Sequence, residues 1–212
     1  MRAFRAFFVI VLLLVVVGGG AYEWWNLVAR WKPHAIDKDQ AEIGKILQGA
    51  GWVSPGLSGG KLYVIAYRDC DACNRFETAE FDKLHAAGVD TRVIMVARDD
   101  VNGVVKSTPA ERATVAELWF NRSWPLFQKW MAAPMDNWTA AGIPAADGDV
   151  ARSAVVEAGP ATVERLTPLL KDNGFDFAYP VMVWWTKDGA MHGCACDDPK
   201  SFGPVLSELG VN

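Results

Sequence analysis

The feature that most constrains the fold of this chain is a strand, helix and strand pattern between residues 62 and 97. Residues 62–67 (LYVIAY) form a short apolar run without alternation, which is typical of a strand covered on both faces. Apolar side chains recur at helical spacing over residues 71–87, and Gly88 follows where a helix would end. Residues 89–97 (VDTRVIMVA) predict a second strand. Such a βαβ unit has parallel strands and a right-handed crossover.

Two cysteines stand at the start of the predicted helix. Cys70 and Cys73 could be a redox couple, half of a metal site or two structural thiols. At a helix N-terminus, unpaired N–H groups and the helix dipole favour a thiolate, the form that exchanges disulfides. A purely structural bridge gains little stability from closing so short a loop. We therefore interpret Cys70 as a nucleophile and Cys73, further into the helix, as the more buried resolving cysteine.

The remainder of the chain predicts a mostly helical region followed by a hairpin. Thr108 and Glu111 form a capping-box pattern around Pro109, which favours the first helical position. A Lys-Asp-Gly turn near residue 188 separates two strand-like runs. The predicted elements of this part are helices at 108–120, 124–131 and 160–171, a loop at 134–148, strands at 179–185 and 190–193, and a closing helix at 201–209.

This order of elements resembles the thioredoxin fold with a helical insertion at about residues 105–175. More narrowly, it resembles the catalytic domains of bacterial periplasmic Dsb-type thiol–disulfide oxidoreductases, the DsbC/DsbG group in particular. The resemblance covers roughly residues 60–210. The residues that carry it are Tyr67-Arg-Asp-Cys70-Asp-Ala-Cys73, Glu117-Leu-Trp-Phe120, Phe127-Gln-Lys-Trp-Met131, Tyr179-Pro180, and Asp188-Gly189 leading to Gly193.

The resemblance implies a role for Tyr179 and Pro180. In the family, the peptide bond before the proline that faces the active site is cis, and the preceding backbone pairs with a substrate strand. The alternative is an ordinary trans proline at the start of a strand, because cis bonds are a small minority of X–Pro bonds. Many relatives carry Thr or Val before this proline, so Tyr179 is a departure that bears on the shape of the substrate groove.

Two carboxylates flank Cys70. Asp69 and Asp71 carry negative charges that oppose thiolate formation at the cysteine between them. The sequence therefore predicts a less acidic Cys70 than in strongly oxidising relatives, and a couple poised toward isomerase or reductase work.

A second pair, Cys194 and Cys196, is a feature that the family pattern does not supply. Three interpretations stay open at this point: a second redox couple that exchanges electrons with the first, a bridge that only shapes the loop, or a metal site that uses both pairs with His192 nearby. We assign no metal ligands and expect no cofactor.

An uncharged apolar stretch at residues 6–22 follows Arg2 and Arg5. Its composition predicts a membrane anchor that contacts the lipid bilayer, and the alternative is a cleaved signal peptide with small residues at 18–21. In either case the body of the protein would be exported, and four cysteines there could be oxidised. The predicted location is the bacterial inner membrane, with a single pass and the C-terminal domain in the periplasm.

These expectations combine into one α/β prediction: a thioredoxin-like fold with a helical insertion, preceded by an N-terminal transmembrane helix. The predicted domains are an anchor or signal peptide at 1–22, a juxtamembrane stalk and short helix at 23–60, and the thioredoxin-like domain at 61–212. A net charge of −4 without long basic runs argues against nucleic acid as a partner. The expected partners are cysteine-containing exported proteins and a membrane redox partner.

The predicted function is a membrane-anchored periplasmic thiol–disulfide oxidoreductase, an isomerase or reductase that acts through Cys70-Asp-Ala-Cys73. One alternative is a non-catalytic thioredoxin-like subunit of a secretion, conjugation or cytochrome-maturation apparatus, which would dock through the tryptophan-rich insertion. The other is a metal-binding protein with cysteine ligands.

Overall fold

The computed structural model describes residues 17–20, 22–25 and 31–211. The chain divides into two units, Met1–Lys32 and Pro33–Asn212. In the first unit, residues 17–20 and 22–25 are helical and exposed. The second unit contains the sheet and both cysteine pairs.

The predicted membrane segment, residues 6–22, lies largely outside the residues that the structure describes. Among those it does describe, no helix combines the length and the apolar character needed to cross a membrane. The predicted fold class was therefore wrong in one part, the N-terminal transmembrane helix. The same finding contradicts the predicted localisation as a single-pass inner-membrane protein.

The second unit is a mixed α/β structure built on one five-stranded sheet. Its strands are β1 (His34–Ala35), β2 (Lys61–Ala66), β3 (Asp90–Met95), β4 (Val181–Trp185) and β5 (Met191–Ala195). Its helices are α1 (Gln40–Gly49), α2 (Asp71–Ala86), α3 (Pro109–Asn121), α4 (Trp124–Ala132), α5 (Val150–Asp172) and α6 (Phe202–Glu208), with short 3₁₀ helices at Met135–Asn137 and Pro199–Ser201. The predicted βαβ unit is confirmed as β2, α2 and β3.

Both faces of β2 are covered, which explains its unbroken apolar sequence. Leu62, Val64 and Ala66 belong to a core shared with α2 and α6. Tyr63 and Ile65 point to the opposite face and join a second core with α1 and α5. A strand buried on both sides has no polar face, so the alternation typical of half-exposed strands is missing.

The strand order is β1-β5-β4-β2-β3. It brings three chain segments together at one end of the strands β2, β4 and β5. Strand β2 is parallel to β3 and antiparallel to β4, with Ile65 opposite Val181. Strand β4 is antiparallel to β5, with Val181 opposite Ala195. The end of β2, the start of β4 and the end of β5 therefore lie together, and the Cys70, Pro180 and Cys196 segments adjoin there.

The insertion between β3 and β4 consists of α3, α4 and α5. Helix α5 is longer than the sequence indicated, because it begins at Val150 instead of residue 160. Asp149 caps its N-terminus by accepting a hydrogen bond from the Arg152 amide at 2.9 Å. The helix contains Pro160, which the sequence predicted as its first residue, and also Pro168, although proline inside a helix removes a backbone hydrogen bond.

Residues 33–60 belong to the same unit as the sheet, whereas the sequence predicted a domain that begins after residue 60. Strand β1 pairs with β5, with His34 opposite Gly193. Ile43 and Leu47 of α1 are buried in the second core. A two-residue edge strand carries no periodic signal, so only the folded chain reveals this pairing.

Candidate active site

Cys70 is the N-cap residue of α2, as the sequence predicted. Its Sγ accepts a hydrogen bond from the Cys73 amide at 3.1 Å. This places the sulfur at the positive end of a 16-residue helix, where a negative charge is stabilised. Cys70 and Cys73 form a disulfide, with Cα atoms 5.2 Å apart.

The two cysteines are almost equally buried, which corrects the expectation that Cys73 lies deeper. The exposed fraction is 3% for Cys70 and 5% for Cys73. Both belong to the core that also contains Phe76 of α2. The loop before α2 folds Cys70 back onto this core, so its position at the helix end does not leave it open to solvent.

The residue pair Tyr179-Pro180 precedes β4, and its peptide bond is cis, as the family resemblance implied. The Tyr179 ring contacts the Tyr67 ring edge-on, with centroids 4.8 Å apart. The segment before the proline thus packs against the segment that leads to Cys70. Burial, with a smaller contribution from Tyr67, raises the pKa of Tyr179 to about 12, so its hydroxyl stays neutral.

The backbone of Tyr179 is available for pairing. Within the part of the chain that the structure describes, its amide and carbonyl make no hydrogen bond to another backbone group. The next carbonyl, that of Pro180, accepts a hydrogen bond from the Cys196 amide at 2.9 Å. Tyr179 therefore offers free backbone groups, whereas Pro180 is held by the segment that follows β5.

An arginine compensates one of the two carboxylates beside Cys70. Arg98, which follows β3, forms an ion pair with Asp69 and lies over the Tyr67 ring at 4.0 Å. From the sequence, Asp69 and Asp71 were expected to be two charges that oppose the thiolate. This expectation is corrected, because a guanidinium in contact with Asp69 offsets its charge.

A second arginine ties the cysteine loop to the insertion. Arg68 is buried, and its guanidinium donates hydrogen bonds to the backbone carbonyls of Met131 and Ala133 at the end of α4. It also lies 5.5 Å from the ring of the buried Trp130. Carbonyls at a helix C-terminus lack helical partners, so a cation is well placed there.

Glu77 lies one turn beyond Cys73 on the same face of α2. Side chains on a helix lean toward its N-terminus, so the Glu77 carboxyl is directed toward the Cys73 turn. Burial raises the pKa of Glu77 to about 7, and the nearby Arg68 charge opposes this rise. A carboxyl with such a pKa exchanges protons near neutral pH.

The second pair is also a disulfide, between Cys194 in β5 and Cys196 just after it. Both residues belong to the same core as Cys70 and Cys73. His192 is engaged by Glu208, with 2.5 Å between Nδ1 and Oε2. No group of three or more potential metal ligands is found among the described residues.

Four side chains near the site were given no role from the sequence: Tyr67, Arg68, Glu77 and Arg98. Tyr67 and Arg68 were part of the motif that carries the resemblance, but no contact was predicted for them. Arg98 follows β3, and the ends of parallel strands meet at the same edge of a sheet. That rule could have identified Arg98, but no local pattern predicts its contact with Asp69.

Comparisons with known proteins support the fold at the level of its architecture. No family model matches the chain, and no curated protein matches it in sequence. Among solved structures, the chain is similar to the crystal structure of Salmonella enterica Typhimurium BcfH, a thioredoxin-fold protein. The TM-score is 0.52 at 12% sequence identity, and the match covers 99% of this chain and 95% of that one. This likeness shows a thioredoxin-like fold and does not single out the DsbC/DsbG group.

Proposed function

We propose that this protein is a thiol–disulfide oxidoreductase that exchanges disulfides with cysteine-containing proteins through Cys70 and Cys73. The observation that carries the proposal is the disulfide at the N-terminus of α2, at the same sheet edge as the cis Tyr179–Pro180 bond. The thioredoxin-like fold is consistent with redox chemistry. Isomerase or reductase activity is the finer form of the proposal.

The exchange proceeds in two steps that balance. In the reduced protein, the Cys70 thiolate attacks one sulfur of a client disulfide, forms a mixed disulfide and releases the first client thiolate. Cys73, after losing its proton, then attacks the Cys70 sulfur and releases the second client thiolate. Two electrons pass from the protein dithiol to the client disulfide. The same steps in reverse oxidise a client dithiol.

The local contacts support Cys70 as the attacking sulfur. The Cys73 amide donates a hydrogen bond to Cys70 Sγ, and the helix end stabilises a negative charge at this atom. In the Asp69–Arg98 ion pair, the guanidinium offsets the carboxylate charge that would otherwise disfavour a thiolate at Cys70. Cys73, inside the first turn, lies within reach for the resolving step.

The surroundings of Tyr179 support a bound client segment. Its backbone amide and carbonyl have no backbone partners, so they can pair with an extended chain. A groove with a volume of about 580 Å³ adjoins the residue, and Val101 and Pro160 contribute apolar surface to its lining. A redox partner that returns Cys70 and Cys73 to their starting redox state after each exchange remains a prediction.

The test compares wild type with Cys70→Ser in insulin reduction by dithiothreitol and in refolding of scrambled ribonuclease. We expect Cys70→Ser to fall to the uncatalysed rate, and Cys73→Ala to accumulate a mixed disulfide with its client. Far-ultraviolet circular dichroism checks that both variants fold. Equal rates for wild type and Cys70→Ser would rule out the enzyme and leave the non-catalytic thioredoxin-like subunit.

A further inference from the structure

The backbone is contracted where β5 ends, between Cys194 in the strand and Cys196 just after it. Residues two apart in an extended strand have Cα atoms roughly 6.4–6.8 Å apart, twice the rise per residue. The Cα atoms of Cys194 and Cys196 are 5.3 Å apart. The disulfide is compatible with this short Cα separation, whereas two free thiols would let the backbone extend to the usual distance.

The contracted end is joined to the cis proline. The Cys196 amide donates a hydrogen bond to the Pro180 carbonyl at 2.9 Å. One position further along the same ladder, Ala195 pairs with Val181, and Cys194 pairs with Met182. The Cys196 amide, next to the disulfide, is thus one of the groups that hold Pro180, together with the pairing of Val181 to Ile65 of β2.

Position and distance argue against a direct chemical role for this pair. Cys194 lies in β5 and Cys196 just after it, so neither stands at a helix N-terminus, where Cys70 gains stabilisation of its thiolate. Strand β4 lies between β5 and β2, which places β5 roughly 10 Å from the strand that leads to Cys70. Closing a loop of three residues also adds little chain-entropy stabilisation.

We infer that Cys194 and Cys196 are positioning residues, whose disulfide holds Pro180 and thereby presents the free Tyr179 backbone to the client. This inference rests on the proposed function. Opening the disulfide lets the end of β5 extend and moves the Cys196 amide relative to Pro180. The consequence is weaker client binding, with no change in the chemistry of Cys70 and Cys73.

The kinetic test uses Cys194→Ser/Cys196→Ser and a synthetic peptide that contains one disulfide. We expect KM to rise about tenfold, a loss of about 1.4 kcal/mol in binding, with kcat within twofold of wild type. The equilibrium constant of Cys70 and Cys73 with glutathione should stay within threefold. A control, Val205→Ala, removes buried side-chain volume from the same core in α6 and leaves the disulfide intact; its KM should equal that of wild type.

Three kinetic outcomes overturn the inference. An unchanged KM in the double variant means that the disulfide does not position the client, even if stability falls. An equal rise of KM in Val205→Ala assigns the effect to general destabilisation. A large drop in kcat, or a changed equilibrium constant with glutathione, indicates a second redox couple that exchanges electrons with the first.

A second measurement separates this inference from the proposed function. Amide hydrogen exchange at residue 196, followed by nuclear magnetic resonance, should be at least tenfold faster in the double variant than in wild type. Equal exchange overturns the inference whatever the kinetics are. If wild type and Cys70→Ser are equally inactive while exchange still accelerates, the oxidoreductase proposal fails and the link between the disulfide and Pro180 stands.

Discussion

At the residue scale, the ion pair between Arg98 and Asp69 is the contact that most directly affects the Cys70 sulfur. Asp69 is adjacent to Cys70 in the chain, and Arg98 reaches it from the end of β3. Without the guanidinium, the negative charge of Asp69 would destabilise the Cys70 thiolate. The reactivity of the nucleophile thus depends on a residue 28 positions away in the chain.

We predict that Arg98→Gln lowers the reactivity of reduced Cys70. At pH 7, its alkylation by iodoacetamide should slow by about three- to tenfold, because the Asp69 charge disfavours the thiolate. Mass spectrometry of the modified cysteine measures the rate. Asp69→Asn/Arg98→Gln removes both charges and should restore the wild-type rate. Equal slowing in the single and double variants would point to lost packing of Arg98 on Tyr67 instead.

At the element scale, the start of α3 depends on a capping box. The Thr108 hydroxyl accepts a hydrogen bond from the Glu111 amide at 3.2 Å, and the Glu111 carboxylate accepts one from the Thr108 amide at 2.7 Å. Without these two hydrogen bonds, the amides of Thr108 and Glu111 at the start of the helix would have no partners. This motif was visible in the sequence because it involves only residues three apart.

We predict that Thr108→Ala lowers the free energy of unfolding by about 1 kcal/mol, measured by urea denaturation. Thr108→Ser keeps the hydroxyl and should lose less than half of that. A comparable loss in both variants would mean that the methyl group of Thr108, and not the cap, stabilises the helix. Insulin reduction should change in neither variant, because Thr108 takes no part in the proposed exchange steps.

At the scale of the whole molecule, Glu77 links stability to pH. Its pKa is raised from 4.5 to about 7 by burial, so the folded state holds a proton that the unfolded state has already lost above pH 4.5. The stability that protonated Glu77 contributes is therefore full below pH 4.5. It is lost as the pH rises from about 4.5 to about 7.

We predict that wild type loses about 1–3 kcal/mol of stability relative to Glu77→Gln over this pH window. The difference should be constant below pH 4.5 and level off above pH 7. Urea unfolding at several pH values measures it. Glu157→Gln changes an exposed carboxyl on α5 and should follow the wild-type profile. A flat difference between wild type and Glu77→Gln would contradict the prediction.

Several features of this protein were determined by the sequence alone because they depend on near neighbours in the chain. The apolar run of β2, the helical spacing of α2 and the position of Cys70 at its start are local patterns. The capping box of α3 is equally local. These elements appear in the structure where the sequence predicted them, and their order is sufficient to indicate a thioredoxin-like fold.

Other features were decided only by the tertiary structure, because they join residues that are distant in the chain. The partner of Asp69 is Arg98, and the partner of the Pro180 carbonyl is the Cys196 amide. Strand β1 is recognisable only through its pairing with β5, and α5 runs through two prolines because its packing outweighs their local cost. Long-range contacts cannot be inferred from short-range periodicity, and in this protein they define the surroundings of both disulfides.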